Sequence, residues 1–346
     1  MSNPLQHDLD HILAHTEGLW EELRGQRLFV TGGTGFFGCW LLESFCCANE
    51  KLGLRAKAVV LTRDPKQFKQ KAPHLAMHPA VQLLAGDVRT FTPPAGTFSH
   101  IIHAAAEADT ALNRSHPMET LDLLINGTRR VMEFADKASA ESILLTSSGA
   151  VYGPQPPDML RIPEDYSGAP DVLHAASAYG EGKRAAELIT ILSAQQARRK
   201  SKIMRGFSFL GPYLPLDGSF AMGNFVRDAL RGGPIVVSGD GTTRRSYLYG
   251  SDLAIWLWTI LAKGRDCCAY NAGSEHEISM AELSSAVAAE AANHCDVKIL
   301  QTPRPGVPIS RYTPNTQRAR EELGLSVTVS LRDGIRKMLE YERLRQ

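Results

Sequence analysis

The sequence predicts an α/β protein: a doubly wound parallel sheet with a smaller mixed lobe toward the C-terminus. Three observations predict it. From Arg27 to about Gly206, short apolar runs alternate with amphipathic stretches, the pattern of strands covered by helices on both faces. The first of these runs, Leu28-Phe-Val-Thr31, enters a glycine-rich turn with Gly32, Gly35 and Gly38 at G-x-x-G-x-x-G spacing, and an amphipathic stretch, Cys39 to Lys51, follows. After about Gly211 the alternation breaks, and Gly and Pro cluster at 211–218 and 232–241.

Each element has its own signal. In residues 1–26, Leu9, Ile12, Leu13, Leu19 and Leu23 recur at helical spacing and predict one or two short helices packed on the body. Strands are predicted at 27–31, 56–62, 80–84, 99–104, 142–147 and 202–207. Apolar runs such as Ala58-Val-Val-Leu61 and Ile143-Leu-Leu145 suit strands buried on both faces. Helices are predicted at 36–51, near 65–71, at 118–137 and at 177–199. The later region mixes short strands with helices at 220–231, 251–263, 279–292, 315–323 and 330–343. Trp256 and Trp258 on the apolar 251–263 stretch read as core. The domains expected are an extension at 1–26, a dinucleotide-binding domain at 27–206 and a ligand lobe at 207–346, with some segments returning to the sheet domain.

Composition narrows the function. The chain has 346 residues, 43% hydrophobic and 22% charged, with a formal net charge of +1. That balance gives no electrostatic reason to expect nucleic acid or an anionic membrane as partner. No apolar run approaches the ~18 residues of a spanning helix. The polar start, with Asp8 and Asp10, is unlike a secretory leader. Six cysteines include the adjacent pairs Cys46-Cys47 and Cys267-Cys268 but no C-x-x-C, which suits reduced thiols and a cytoplasmic chain. Eleven histidines lack ligand spacing, so no metal is expected.

Two constellations carry chemistry. Glycines in the 32–38 turn let backbone N–H groups close on a pyrophosphate, and the helix start behind them adds partial positive charge. In Tyr179-Gly-Glu-Gly-Lys183, a spacing of four puts phenol and ammonium on one helix face. The cation is expected to lower the tyrosine pKa, so that Tyr179 can exchange a proton with a carbinol oxygen during hydride transfer. Ser148 ends the predicted strand Leu144-Leu-Thr-Ser-Ser148, where its hydroxyl can bond the same oxygen.

Together these residues resemble the extended short-chain dehydrogenase/reductases, specifically the nucleotide-sugar epimerase/dehydratase branch, from Arg27 onward. The resemblance implies a Rossmann-type domain that binds NAD or NADP. It makes Thr31-Gly-Gly-Thr34-Gly35-Phe36-Phe37-Gly38 the phosphate loop, Asp87 and Val88 an adenine contact, and His103-Ala104-Ala105-Ala106 the loop beside the nicotinamide ribose, although for His103 itself a structural role has at least equal weight. It makes Asn126, in Asn126-Gly-Thr128, a structural residue of the proton relay. Ser148, Tyr179 and Lys183 become catalytic, with Tyr152 a possible sugar contact. Arg205 to Pro212, Asn224-Phe225 and the segment carrying Arg245 resemble those that hold a nucleoside diphosphate. An arginine suits that group through paired hydrogen bonds. Arg244 and Arg311 divide evenly between that role and a solvated charge. The resemblance also implies a homodimer through 118–137 and 177–199.

Departures from the family pattern sharpen the reading. Thr62-Arg63 stands where NAD-preferring relatives carry an acidic residue, which leaves NAD and NADP open and tilts slightly to NADP. Gly149-Ala150 follows the catalytic serine, where 4,6-dehydratases carry Asp-Glu and glucuronate decarboxylases Ser-Glu. That favours a 4-epimerase, which needs no further acid or base. The 4,6-dehydratase, decarboxylase, 4-ketoreductase and a non-enzymatic dinucleotide-sensing scaffold remain alternatives, and Gly180 to Glu187 reads more like the dehydratases and decarboxylases. Ser208 replaces an Asn that commonly bonds the sugar pyrophosphate. Glu107 and Asp109 read first as solvated loop carboxylates, with contact to the sugar or service as a base the lesser alternatives.

Overall fold

The computed structural model describes residues 3–106, 113 and 115–345. Its centre is a seven-stranded sheet, parallel at every pairing. Across the sheet lie Cys268–Ala272, Lys200–Gly206, Ser142–Ser148, His100–His103, Arg27–Thr31, Lys57–Thr62 and Val81–Ala85. The chain builds outward from Arg27–Thr31 on one side and then returns to build the other. The order therefore reverses between Arg27–Thr31 and His100–His103, and the crevice at their carboxyl ends is where such sheets bind ligands.

The helix Phe36–Lys51 departs from expectation: it is buried nearly all round, from Gly38 to Ala48. One face lies on the sheet. Its outer face is covered by Gln6–His15 and by Gly250–Lys263, so a two-sided apolar sequence is what the position requires. Trp258 donates to Ser44 Oγ at 2.8 Å, which ties Gly250–Lys263 to Phe36–Lys51, and Tyr249 donates to Asp8 at 2.8 Å, which pins the N-terminal extension. On the opposite sheet face, Phe29, Phe91, Phe98 and Phe134 make an aromatic cluster. There Pro117–Lys137 and Ala178–Ala197 pack side by side.

Boundaries move by small amounts with identifiable causes. The long helix ends at Ala197, because Arg198 turns left-handed at φ 54°. The next strand therefore starts at Lys200, ahead of the expected 202. The division at 206/207 is interleaved, since Gly250–Lys263 and Cys268–Ala272 belong to the sheet domain. The remaining lobe is held by short ladders. In one, Arg244–Ser246 sits between Glu277–Ser279 and Arg311–Tyr312. Helix Met280–Glu290 begins on a reciprocal Ser279/Glu282 cap.

Candidate active site

A cleft of about 1200 Å³ opens between the sheet's carboxyl edge and the second lobe. Sites for one small molecule are typically ~300–1000 Å³, so the cleft has room for a dinucleotide and a second ligand.

The turn after Arg27–Thr31 fits a dinucleotide. Gly32 has φ +69°, and a Cβ there would lie 2.3 Å from the Ala104 carbonyl oxygen. A Cβ on Gly38 would lie 2.2 Å from Gly33 Cα, so Gly38 packs helix against turn instead of facing the cleft. Gly35 differs, because its Cβ would meet nothing nearer than Gly32 O at 3.4 Å. Its hydrogen keeps room on the ligand side, where the helix Phe36–Lys51 starts. Lys71 Nζ holds the loop at Thr34 O, 2.9 Å away. Thr34, Phe36, Phe37, Thr62, Arg63, Asp87, Val88, Ala104 and Ala105 all line this end of the cleft. Asp87 is clamped by Arg89 (2.8 and 2.9 Å), which lowers its pKa, with Arg63 adding a smaller effect of the same sign.

At the cleft's centre, Ser142–Ser148 delivers Ser148 and Ala178–Ala197 delivers Tyr179 and Lys183. Ser148 Oγ accepts from Ala150 N at 3.1 Å and caps the short turn Gly149–Tyr152. It also interacts with the Tyr179 hydroxyl. Lys183 is 3% exposed, donates to Thr146 O at 2.7 Å, and lies 5.9 Å from the Tyr179 ring centroid. Burial pulls its pKa to about 8, against an upward pull from Glu187. The expected lowering of the Tyr179 pKa is not seen: burial raises it, and the Ser148 contact opposes the rise. In this geometry desolvation of the phenolate outweighs the opposing Ser148 contact.

At the far end, Ser208 and Arg245 line the cleft. Arg245 is half-buried, and desolvation lowers its pKa. Its guanidinium donates to Arg244 O at 2.9 Å and sits 5.5 Å from the Tyr312 ring centroid. Among the described residues no carboxylate pairs with it, so a half-buried cation faces the cleft with donors to spare. Arg244 and Arg311 both pair with Glu277 (3.5 and 3.3 Å) and are structural.

Besides Gly38, four expected site residues lie elsewhere. His103 is buried behind the loop, bonded to Thr31 Oγ1 (2.7 Å) and Thr128 Oγ1 (3.0 Å), with its pKa pushed down to about 3 by burial. It is a neutral strut between strand and helix. Asn126 is exposed and donates to Asp122 at 2.5 Å. The residue of that helix facing the catalytic helix is Leu124, whose Cδ1 lies 2.7 Å from where a Gly182 Cβ would stand. Two residues are ~200° of helical turn, so Asn126 points away. Tyr152 is 1% exposed and donates to Asn271 at 2.7 Å beneath the site. Asn224 bonds Gly218 O (2.9 Å) and Arg227 (3.1 Å), organising a loop. Arg205 points inward to Glu187 (2.7 Å), which also accepts from Ser147 at 2.5 Å. Glu107 and Asp109 lie outside the described residues.

Sequence reasoning missed Tyr312 and Asn113, which line the cleft with Phe207 and Tyr247 from the expected diphosphate segments. Tyr312 arrives from the second lobe beside Arg311, and proximity to the arginine was its only signal. Among the described residues no group of three His, Cys, Asp or Glu is placed to hold a metal, and no helix is long and apolar enough to cross a membrane.

The fold and the cleft define a dinucleotide-binding enzyme of the extended short-chain dehydrogenase/reductase class. The profile of the NAD dependent epimerase/dehydratase family matches residues 28–273, and the chain belongs to that family. UDP-glucuronic acid decarboxylase 3 of Arabidopsis thaliana is 31% identical over 319 residues, covering 92% of this chain and 90% of its own. UDP-glucose 4-epimerase of Thermotoga maritima, solved with UDP-glucose, superposes with a TM-score of 0.76 at 21% identity, over 92% of this chain and 99% of that one. The dTDP-glucose 4,6-dehydratase DesIV of Streptomyces venezuelae, solved with NAD and TYD, gives 0.77 at 22%, over 92% and 97%.

Proposed function

We propose that this protein is an NAD(P)-dependent nucleotide-sugar 4-epimerase working through a transient 4-keto sugar. The observation that carries the reading is the residue after Ser148. Position 149 is glycine, and a Cβ there would lie 2.7 Å from the Tyr312 hydroxyl and 2.8 Å from Phe207 Cζ. Neither Gly149 nor Ala150 carries the acid or base that elimination of water from the sugar needs, and the space beside Gly149 is taken by the Tyr312 hydroxyl and the Phe207 ring. Ser148, Tyr179 and Lys183 remain available for oxidation and reduction at C4.

The bound nicotinamide supplies the hydride acceptor and later the donor. This chain's residues do the rest. Arg245, with Ser208 nearby, holds the diphosphate, because a half-buried guanidinium gains most from an anion with two adjacent oxygens. Tyr179 takes the C4 hydroxyl proton, with Ser148 bonding the same oxygen and Lys183 placing positive charge beside the phenolate. The 4-keto sugar turns in the cleft, and Tyr179 returns the proton when the opposite face is reduced. The family is NAD-dependent; NADP as an equal or better cofactor rests on Arg63 and is tested below.

A second reading, decarboxylation of a nucleotide-glucuronate, is favoured by the 31% identical decarboxylase relatives. It shares the C4 oxidation, and a 4-keto acid loses carbon dioxide without a base at 149. Mass spectrometry of products from UDP- and dTDP-linked glucose and UDP-glucuronate separates these outcomes. An epimer of unchanged mass is expected. A product lighter by water or by carbon dioxide would overturn the 4-epimerase reading.

A further inference from the structure

The second lobe sends one hydroxyl into the catalytic centre. Tyr312 Oη lies 3.4 Å from Ser148 Oγ and 3.4 Å from the Gly206 carbonyl oxygen. Both distances are at the loose end of hydrogen bonding for a hydroxyl. A half-buried phenol held, among the described residues, only by such weak contacts keeps most of its donor strength for a better acceptor. Its position, in contrast, is tightly set. Tyr312 pairs with Arg245 in a ladder, and its ring lies 4.6 Å from that of Phe207 and 5.5 Å from the Arg245 guanidinium. The next residue is clamped from both sides, Thr313 O accepting from Ile162 N and Thr313 N donating to Gln155 Oε1, each at 2.9 Å. Gly149 completes the arrangement, since any Cβ there would displace the phenol.

We propose that Tyr312 is a further catalytic residue, whose hydroxyl donates, together with Ser148, to the sugar oxygen that becomes the ketone. This rests on the C4-oxidation reading above. The phenol gives a hydrogen bond and keeps its proton, so no charge is transferred to it. Burial raises its pKa, which keeps it a donor throughout the working pH range. Gly149 is then the complement of Tyr312: a donor from the second lobe fills the space in which a carboxylate side chain at position 149 would stand. The bond strengthens as charge builds on the oxygen, so its effect belongs in the rate and not in binding. It also ties catalysis to lobe position, because the hydroxyl reaches the oxygen only while the 311–312 ladder is docked.

The test uses the full chain loaded with NAD and two probes, UDP-glucose and UDP-glucuronate, at varied concentration. The rate of nicotinamide reduction is followed by absorbance, and UDP affinity by titration. Tyr312→Phe is expected to slow reduction by ~10- to 100-fold, the range for losing one oxyanion donor or somewhat less. KM and UDP affinity should stay within ~2-fold of wild type. An unchanged rate in Tyr312→Phe, or a raised KM with the rate intact, would overturn the proposal. Weakened UDP binding would do the same, by assigning Tyr312 to packing under Arg245. Failure of the functional reading looks different: a wild-type chain inert toward both probes would overturn that reading and this inference with it.

Discussion

Lys183 shows how one residue sets both cost and chemistry. Its pKa falls from 10.5 to about 8 because burial disfavours the ammonium. A lysine with a lowered folded pKa costs stability while it is charged in the fold. The cost is full below about 8 and fades as pH rises toward 10.5, where the unfolded chain still holds the proton. Lys183→Met should therefore raise the melting free energy at neutral pH, by ~1–3 kcal/mol, while abolishing turnover. Wild-type turnover should fall as pH rises through about 8, when Lys183 loses its proton. Melting curves and a pH–rate profile check both, and a destabilised Lys183→Met would contradict the assignment. Arg63 gives a second residue-level prediction. Wild type should bind NADP at least as tightly as NAD, and Arg63→Ala should lose that advantage; a preference for NAD unchanged by the substitution would contradict it. Motif residues were legible where a short contiguous pattern fixes both contact and direction, as with Gly32, Tyr179 and Lys183. Asn126 lies away from the cleft because a match in the chain does not say which helix face is turned to it, and of the two readings weighed for His103 its bonds to Thr31 and Thr128 fit the structural one. Tyr312 was hidden because its approach depends on a ladder between distant segments.

Among elements, the glycine turn separates folding from binding. Gly32→Ala puts a Cβ 2.3 Å from Ala104 O at a positive φ, so it should cost on the order of 1–3 kcal/mol or more in stability and lose the cofactor. Gly35→Ala meets only Gly32 O at 3.4 Å, so it should melt with wild type yet bind dinucleotide more weakly. Thermal melting paired with cofactor titration tests the contrast. Equal loss of stability in both variants would mean that both glycines serve packing alone. The order of strands and helices was readable from apolar periodicity, which responds to two-sided burial. The short strands of the second lobe were not, since two- and three-residue ladders such as Arg311–Tyr312 leave no period to read.

For the molecule as a whole, the alternation and the glycine turn were enough to predict the doubly wound sheet. They were not enough to see that Gly250–Lys263 and Cys268–Ala272 return to it. A long apolar helix reads the same whichever core it enters. Leu188 and Leu192 remain 59% and 55% exposed on the helix Ala178–Ala197, beside Pro117–Lys137. We expect this face to join two copies. Sedimentation should give a dimer at micromolar concentration, and a Leu188→Asp/Leu192→Asp chain should be monomeric. A wild-type monomer would contradict the expectation. The whole assembly is expected to move a hydride off and onto one carbon and to leave the neighbouring carbon untouched. The direct measurement is the mass and deuterium content of the sugar product formed in heavy water. The account predicts an epimer of unchanged mass with no deuterium on carbon; deuterium at C5, with loss of water or of carbon dioxide, would contradict it.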